Sequence, residues 1–216
     1  MSDNYCEETA CEEMIDLSAL QAQQPKNFLV RNHFYFNEEI NPDSARQLIV
    51  NLHQLALSIS SSCLETGCIP CAIELHINSC GGSLTDALQI IQVIKDIQNG
   101  KACQIGEALV PIKVNTHIEG EADSGASLVA SVGSYRTCSK YSMSLIHPMR
   151  SLDGNFKTVE EQKVAISNND KWNEIYKNVY LEHSKLTKEQ LEKMFETETY
   201  YTANDLVNFG LVDEIV

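Results

Sequence analysis

Basic residues are scarce in this chain. Its 216 residues include 16 Lys and Arg against 30 Asp and Glu, which gives a formal net charge of -14. A protein of that charge is repelled by the phosphates of nucleic acids and by anionic membrane surfaces, so neither is an expected partner. The sequence also lacks any run of about 20 apolar residues, which excludes a membrane-spanning helix. With 43% hydrophobic and 21% charged residues, the composition is otherwise that of an ordinary globular domain.

The first 25 residues contain no Lys or Arg at all. They also lack the basic and apolar regions of a secretory signal, so we expect a cytoplasmic protein. We divide the chain into an acidic N-terminal segment, residues 1–27, and a folded domain, residues 28–216. The segment is interpreted either as a mobile tail or as a docking arm for a basic partner surface. Its acidic residues are Asp3, Glu7, Glu8, Glu12, Glu13 and Asp16.

The chain has only one pair of cysteines at the spacing of a zinc-binding knuckle. Cys68 and Cys71 form the only CxxC pair, whereas a closed zinc site needs four ligands. A thioredoxin-type redox pair would follow a strand and open a helix, but this pair precedes a strand-like alternation that begins at Ile73. We therefore expect reduced thiols and no metal site. The eight cysteines are residues 6, 11, 63, 68, 71, 80, 103 and 138.

Hydrophobic periodicity predicts alternating strands and helices. Strands are predicted at 30–37, 73–78, 112–119, 143–146 and 211–216. Helices are predicted at 41–56, 84–97, 124–132 and 158–184, and Thr187 and Thr202 begin capping-box patterns. Residues 100–111 have no clear period and are interpreted as a loop. Alternating strands and helices predict an α/β domain with parallel strands.

Ligand sites of α/β domains lie at the turns that follow the carboxyl ends of strands. The first such turn here contains Gly81 and Gly82, after the predicted strand 73–78. Adjacent glycines allow another backbone to approach closely and leave their N–H groups free to point outward. The same pair is also compatible with an ordinary tight turn.

The second turn places Ser124 between a predicted strand and a predicted helix, in the run Gly-Glu-Ala-Asp-Ser-Gly-Ala-Ser over residues 120–127. A hydroxyl there lies near the positive end of the helix dipole, beside unpaired N–H groups. That arrangement suits a nucleophile whose product oxyanion needs hydrogen-bond donors. It equally suits a serine that only caps the helix.

The third turn contains His147, which ends the apolar strand 143–146. An imidazole is the general base that a serine nucleophile requires near neutral pH. A histidine that only satisfies local hydrogen bonds is the alternative. No other histidine follows the Ser124 helix at the end of an apolar strand.

Four motifs, taken in order, resemble the ClpP family, the proteolytic subunits of ATP-dependent Clp proteases within the ClpP/crotonase superfamily. They are Ile-Asn-Ser-Cys-Gly-Gly-Ser at 77–83, Gly-Glu-Ala-Asp-Ser at 120–124, Leu-Ile-His-Pro at 145–148 and Ala-Asn-Asp-Leu-Val-Asn-Phe-Gly-Leu-Val-Asp at 203–213. The resemblance covers about residues 28–216. It implies a repeated β-β-α spiral head with a projecting handle helix at about 158–184. The buried side of that helix is expected to contain Trp172, Ile175, Tyr176 and Val179.

The resemblance also implies a serine endopeptidase and a role for each site residue. Ser124 matches the family's nucleophile and His147 its general base, while Glu198 stands where the family has its orienting aspartate. The N–H groups of Gly82 and Gly125 match the oxyanion hole. A substrate peptide is expected to lie extended beside Gly81 and Gly82, and no metal or organic cofactor is needed.

Partners follow from the same resemblance. Family members form homo-oligomeric rings, so a tetradecamer of two heptamers is expected, fed with polypeptides by an ATP-dependent AAA+ unfoldase. Thr197 replaces the arginine that pairs across two stacked rings, so a single ring also stays open. Residues 1–27 do not resemble the family's axial loops, and both a pore-gating segment and a processed propeptide stay open.

Several departures from the family pattern keep other functions open. Cys80 replaces a proline, Gly125-Ala-Ser127 replaces Met-Gly-Ala, and residues 98–110 resemble an inserted loop. The altered motif flanks, together with Glu198 in place of the family's aspartate, motivate a catalytically weak or inactive subunit that co-assembles with an active paralogue. Two further alternatives are an acyl-CoA enzyme of the crotonase type, which would work through carboxylates, and a serine–lysine peptidase, for which Lys140 is the nearest lysine downstream.

Overall fold

The structure, a computed structural model, describes residues 26–103, 109–150 and 158–216. These residues form the predicted mixed α/β fold, with eight strands and six α-helices. The strands are β1 (Phe28–Val30), β2 (His33–Phe36), β3 (Ile73–Ser79), β4 (Val114–Ala122), β5 (Arg136–Cys138), β6 (Met143–Ile146), β7 (Thr199–Thr202) and β8 (Glu214–Ile215). The helices are α1 (Pro42–Thr66), α2 (Leu84–Gln98), α3 (Gly125–Ser131), α4 (Val159–His183), α5 (Lys188–Glu196) and α6 (Ala203–Asn208).

The sheet is mostly parallel. Its main path runs β1-β2-β3-β4-β5-β8, and only the β1–β2 pair on this path is antiparallel. β6 lies off the path, where it pairs parallel with β4 through Met143 and Glu121 and antiparallel with β7. Because β3 and β4 are parallel neighbours, the turns that follow them open at the same edge of the sheet.

The core lies between the sheet and the apolar faces of α1 and α2. Alternate residues of β3 are buried because side chains along a strand point to opposite faces. The buried residues of α1 and α2 recur at helical spacing. The core residues of these elements include Leu48, Leu52, Ala56, Ile73, Leu75, Ile77, Ala87, Ile90, Ile94 and Ile97.

Helix α1 extends ten residues beyond the predicted end near Ala56, to Thr66. Its buried face continues through Ser60 and Cys63, and Ser60 is compatible with that face because its hydroxyl donates to the Ala56 carbonyl over 2.7 Å. The helix ends at Gly67, whose φ of 69° is left-handed. The hydrophobic pattern therefore missed the second half of the helix, because a polar residue, Ser60, occupies one of its buried positions.

Other element boundaries also differ from the prediction. The single strand predicted at 30–37 is a hairpin, since Arg31 has a φ of 58° and turns the chain between β1 and β2. β5 was not predicted, because three residues give too short an alternation. β4 continues past Gly120 to Ala122, and the final strand is limited to Glu214–Ile215. Part of the predicted loop at 100–111 forms a 3-10 helix at Lys101–Cys103, and residues 104–108 lie outside the described residues.

The predicted handle helix is present as α4, with a capping box at Thr158. Its predicted buried side was Trp172, Ile175, Tyr176 and Val179. Tyr176 and Tyr180 are in fact the buried residues, whereas Ile175 is 42% exposed. The prediction was wrong at Ile175 because only a narrow stripe of this helix touches the head. Among the helices that the structure describes, none is both long and apolar enough to cross a bilayer.

Candidate active site

Ser124 occupies a strained turn between β4 and α3. Its φ of 51° and ψ of -122° are rare for a residue that carries a side chain. The turn is held because Ser124 N–H donates to the Leu145 carbonyl over 2.8 Å, and Asp123 N–H donates to the Ser79 carbonyl over 2.9 Å. Ser124 stands at the N-cap position, but its side chain makes no capping hydrogen bond. Its hydroxyl is therefore not committed to the helix, contrary to the interpretation as a capping serine.

Gly81 and Gly82 form the neighbouring turn after β3, and both have positive φ, of 85° and 140°. A Cβ at Gly81 would lie 2.3 Å from the Asp123 carbonyl oxygen and 2.8 Å from Ser124 Cβ. A Cβ at Gly82 would lie 2.1 Å from the Ile40 carbonyl oxygen. Glycine is required at both positions, because the β3 turn packs directly against the Ser124 turn on one side and against Ile40 on the other.

The N–H group of Gly82 points away from Ile40. Ile40 N–H donates to the Gly81 carbonyl over 2.6 Å, and the Ile40 carbonyl accepts from Ser83 N–H over 2.8 Å. In a parallel pair of this kind the intervening residue directs its own N–H and carbonyl to the opposite side. The backbone of Gly82 is therefore available to a ligand that lies on the Ser124 side.

Gly125 supplies a second N–H at the same place. It is the first residue of α3, so its N–H has no intrahelical partner. A Cβ at Gly125 would lie 3.6 Å from the Gly82 carbonyl oxygen, so the two glycines adjoin. Gly82, Ser124 and Gly125 are thus neighbours at the edge of the sheet.

His147 follows β6, which runs beside β4. Its Nδ1 lies 2.7 Å from the carbonyl oxygen of Pro148. Because a carbonyl oxygen can only accept, Nδ1 carries the proton in this bond, and Nε2 of the neutral ring is left as the basic nitrogen. The imidazole is half-buried and faces the cavity described below.

Glu198 lies just before β7, next to the Thr199 that pairs with Ile146, so the antiparallel register brings its backbone beside that of His147. Its Oε1 accepts two hydrogen bonds from Arg150, one of them from Nε over 2.9 Å. Both side chains are largely exposed, at 64% for Arg150 and 51% for Glu198. The hydrogen bonds described for Glu198 thus go to an arginine, while the described Nδ1 bond of His147 goes to a backbone carbonyl.

Asp123 is a second carboxylate that the sequence reasoning did not single out. It is 4% exposed, and its Oδ1 accepts from Leu145 N–H over 2.7 Å. Burial raises the pKa of this carboxyl, while the Leu145 N–H, the Tyr200 hydroxyl and the charge of His147 oppose the rise. An acidic residue beside a serine in a run of small residues was the one available signal, and it does not by itself indicate burial.

One cavity of about 670 Å³ brings most of these groups together. Of the predicted site residues, it contains Ser124, His147, Gly82 and Gly125; Glu198 is not part of its wall. Gly81 lies behind it, against Ser124. The remaining wall is partly apolar, partly polar and partly charged, and it includes Trp172 and Tyr176 of α4. Its other residues are Glu39, Ile40, Asn41, Pro42, Cys80, Ser83, Leu84, Thr85, Asp86, Met149 and Arg150.

Other candidate groups lie elsewhere. Lys140 is exposed, with its ammonium 5.4 Å from the Tyr141 ring centroid, and does not line this cavity. Cys63 and Cys68 have their sulfur atoms 3.3 Å apart. Within residues 26–103, 109–150 and 158–216, no group of three or more His, Cys, Asp or Glu side chains could hold a metal ion.

The fold and the cavity are consistent with the family that the four sequence motifs resemble. A sequence model of the Clp protease family matches residues 20–216 of the chain. The match begins inside the segment predicted as an N-terminal tail and contains every residue of the cavity. The protein belongs to the Clp protease family, which confirms the predicted resemblance and supports a ClpP-type peptidase.

Proposed function

We propose that this chain is a serine endopeptidase that cuts unfolded polypeptides inside an oligomeric chamber. One observation supports this proposal above the others. The uncommitted hydroxyl of Ser124, the imidazole of His147 and the amides of Gly82 and Gly125 all face one cavity. These are the nucleophile, base and oxyanion donors that amide hydrolysis by a serine requires.

The reaction follows from the roles of these groups. His147 Nε2 takes the Ser124 hydroxyl proton as Oγ forms a bond to the substrate carbonyl carbon. The carbonyl oxygen becomes an oxyanion that accepts from the N–H groups of Gly82 and Gly125. The imidazolium then gives its proton to the amine nitrogen as the C–N bond breaks, which leaves an acyl ester on Ser124. Water, deprotonated by His147, cleaves that ester and restores the hydroxyl.

The substrate is proposed to bind as an extended strand. Gly82 is exposed, and its backbone N–H and carbonyl are directed away from Ile40. A peptide paired with Gly81 and Gly82 through main-chain hydrogen bonds is held with little dependence on its side chains. Such binding suits a protease that accepts many unfolded sequences.

Glu198 is proposed as the acid that orients His147 in the working enzyme. Its pair with Arg150 is exposed on both sides, and exposed ion pairs contribute at most about 1 kcal/mol. That is little to lose when a peptide enters the cavity, of which Arg150 forms part. Until then, the Pro148 carbonyl holds the proton on Nδ1, which is the tautomer that catalysis needs.

Family membership supports an assembly of heptameric rings, a tetradecamer being the expected form, with an AAA+ unfoldase as the partner that supplies substrate. Thr197 has its hydroxyl 3.1 Å from that of Thr199, and it offers no charge to a facing ring. We therefore propose weaker ring stacking than an arginine at this position would support. Native mass spectrometry of the protein expressed alone distinguishes one ring from two.

Covalent labelling tests the catalytic proposal. A fluorophosphonate probe is expected to modify Ser124 in the assembled protein, and Ser124→Ala and His147→Ala should each abolish the labelling. Ser134→Ala, at an exposed serine on the β5 side, should leave it unchanged. If the assembled wild-type protein stays unlabelled while a reference serine hydrolase reacts, the proposal fails.

A catalytically weak or inactive subunit remains the second candidate, and one observation favours it. Arg150 holds Glu198, and the Pro148 carbonyl occupies the Nδ1 position that an orienting acid would take. If this arrangement persists with substrate, His147 has no carboxylate to stabilise its imidazolium. Peptidase activity of the homogeneous assembled protein, without any paralogue present, separates the two candidates.

A further inference from the structure

Two thiols meet at the end of helix α1, where the chain leaves the helix for β3. The sulfur atoms of Cys63 and Cys68 lie 3.3 Å apart and are hydrogen-bonded to each other. The sulfur atoms of a disulfide lie about 2.0 Å apart, so closing one here needs a movement of only about 1.3 Å. Among the cysteine side chains that the structure describes, no other two are hydrogen-bonded. This contact sets the pair apart from Cys68 and Cys71, the pair with CxxC spacing.

The end of the helix brings the two thiols together. Gly67 ends α1 in a left-handed conformation, and its N–H donates to the Cys63 carbonyl over 2.8 Å. This bond closes the last turn and directs the next residue, Cys68, back toward the helix. Cys63 belongs to the buried face of α1, whereas Cys68 is exposed. One thiol is therefore shielded, and the other is open to a small molecule in solution.

The connection from α1 to β3 can accommodate the movement. Its backbone is held at Gly67 on one side and at Ala72 on the other, where the carbonyl accepts from the Asn32 side chain over 2.8 Å. No hydrogen bond that the structure describes joins the backbone of residues 68–71 to another part of the chain. The Cys68 sulfur can thus approach Cys63 without breaking any described backbone hydrogen bond.

The two thiols differ in reactivity. Hydrogen bonding with Thr66 and with Cys63 lowers the pKa of the Cys68 thiol. Burial, followed by the hydrogen bond with Cys68, raises the pKa of the Cys63 thiol. Because the thiolate is the form that attacks an oxidant, the exposed and more readily ionised Cys68 is the one that reacts first. Cys80 and Cys138 have raised pKa values, in both cases chiefly through burial.

We propose that Cys63 and Cys68 are a reversible redox pair, in which Cys68 reacts with a peroxide and Cys63 then closes an intramolecular disulfide. The Cys68 thiolate attacks one oxygen of hydrogen peroxide, the O–O bond breaks, and hydroxide leaves and is protonated to water, so that Cys68 becomes a sulfenic acid. The Cys63 sulfur then displaces the sulfenic hydroxyl, which leaves with the Cys63 proton as a second water. The two thiols lose two electrons, which the peroxide gains. A dithiol reverses the step by thiol–disulfide exchange.

This pair lies apart from the proposed active site. Neither Cys63 nor Cys68 lines the cavity that contains Ser124, so the inference does not rest on the proposed peptidase function. The structure describes the reduced form, in which both thiols are free. The oxidised form would tie residues 68–71 to the end of α1, at the beginning of the chain segment that leads into β3.

Disulfide mapping of the full-length protein tests the inference. The native protein is treated with hydrogen peroxide, its remaining thiols are alkylated, and it is cleaved without reduction by a protease specific for glutamate. Cleavage after Glu65 separates Cys63 from Cys68, so the proposed bridge links the peptide that ends at Glu65 to the peptide 66–74. The linked species should form in the wild-type protein and in Cys71→Ser, should disappear after addition of a dithiol, and should be absent from Cys68→Ser. In Cys63→Ser/Cys71→Ser, which lacks both neighbouring thiols, Cys68 should persist as a sulfenic acid that dimedone traps.

Other products would overturn the inference. Loss of the linked species in Cys71→Ser, or a bridge contained within the peptide 66–74, would assign the reaction to Cys71. Absence of the linked species at a peroxide dose that already oxidises the exposed Cys80 would mean that the pair is not reactive. The bridge should also form faster in the native protein than in urea, and equal rates would mean that the folded contact does not promote it. Cys68→Ser changes an exposed side chain, so it keeps the test valid even if replacement of the buried Cys63 prevents folding, which circular dichroism detects.

Discussion

Arg150 donates two hydrogen bonds to a single carboxylate oxygen of Glu198, one of them from Nε over 2.9 Å. The residue that the family pattern assigns to His147 is therefore held by an arginine in the structure. Both partners are exposed, so the pair is easily exchanged. Both bonds end on Oε1, and we expect competition between Arg150 and His147 for this carboxylate to influence the activity of the proposed triad.

Glu198→Gln should lower kcat for peptide hydrolysis by at least about 100-fold, because the imidazolium loses its carboxylate. Arg150→Gln should raise kcat/KM by up to about fivefold, the factor for a surface ion pair of about 1 kcal/mol. Glu196→Gln, at an exposed glutamate two residues away, is the matched control and should have no effect. An unchanged rate in Glu198→Gln would instead indicate a serine–histidine dyad oriented by the Pro148 carbonyl.

Gly81→Ala should lower the free energy of unfolding by about 2–4 kcal/mol and abolish fluorophosphonate labelling. The new Cβ would lie 2.3 Å from the Asp123 carbonyl oxygen, so the Ser124 turn must move. Gly67→Ala is the matched control, since Gly67 also has positive φ but meets nothing within 4 Å. It should cost about 1 kcal/mol in urea unfolding and keep full labelling. Equal effects of the two substitutions would contradict the close packing of the two turns.

Asp123→Asn should stabilise the protein at pH 7 by about 1 kcal/mol. The pKa of Asp123 is raised in the folded state, chiefly by burial, so stability falls as the pH rises from the ordinary carboxyl pKa through the raised one, and the loss is complete above it. Asparagine keeps an oxygen that can accept from Leu145 N–H and avoids the buried charge. The stabilisation should disappear as the pH falls below the ordinary carboxyl range, where Asp123 is protonated in both states. Thermal melting of both proteins from pH 3 to pH 8 checks the trend, and an Asn variant that is less stable at pH 7 would contradict it.

Asp213→Asn should have the opposite pH dependence. Hydrogen bonds from Arg136 lower the pKa of Asp213, whose Oδ1 and Oδ2 lie 2.6 Å and 3.1 Å from Nη2 and Nε. The carboxylate therefore stabilises the fold above the unfolded pKa, and this contribution is lost as the pH falls through the lowered folded value. Since Asp213 is about one-third exposed, we expect a loss of only about 1 kcal/mol at pH 7. Urea unfolding at pH 7 and near pH 2 should show the two proteins converging in acid; a constant difference would be inconsistent with this linkage.

The main elements of the site follow from local sequence rules. Gly81 and Gly82 allow two backbone segments to approach each other closely. Ser124 lies between a strand and a helix, and His147 follows the end of a strand. Each rule concerns a few neighbouring residues, and parallel pairing of β3 and β4 then brings the turns to one edge of the sheet. This is why four short motifs sufficed to predict the family, and why Gly82, Ser124 and His147 line one cavity.

Residues that act through distant contacts could not be predicted in this way. Periodicity placed Tyr176 on the buried side of a helix, but it did not reveal that the hydroxyl is unpaired beside Ser124. Asp123 had no pattern that distinguishes a buried carboxylate from an exposed one. The assignment of Glu198 came from its place in a motif, and its pairing with Arg150 depends on how the chain after β6 lies against the chain before β7.

The alternation of the longer strands and helices, the position of Ser124 at a strand-to-helix turn and the family were determined by the sequence alone, because hydrophobic period, glycine placement and helix capping act over a few residues of the chain. The tertiary structure alone decided which carboxylate meets which cation, which serine hydroxyl is free and which tyrosine is unpaired. Those outcomes depend on distances between residues far apart in the chain, and a change of about one ångström is enough to make or break each hydrogen bond.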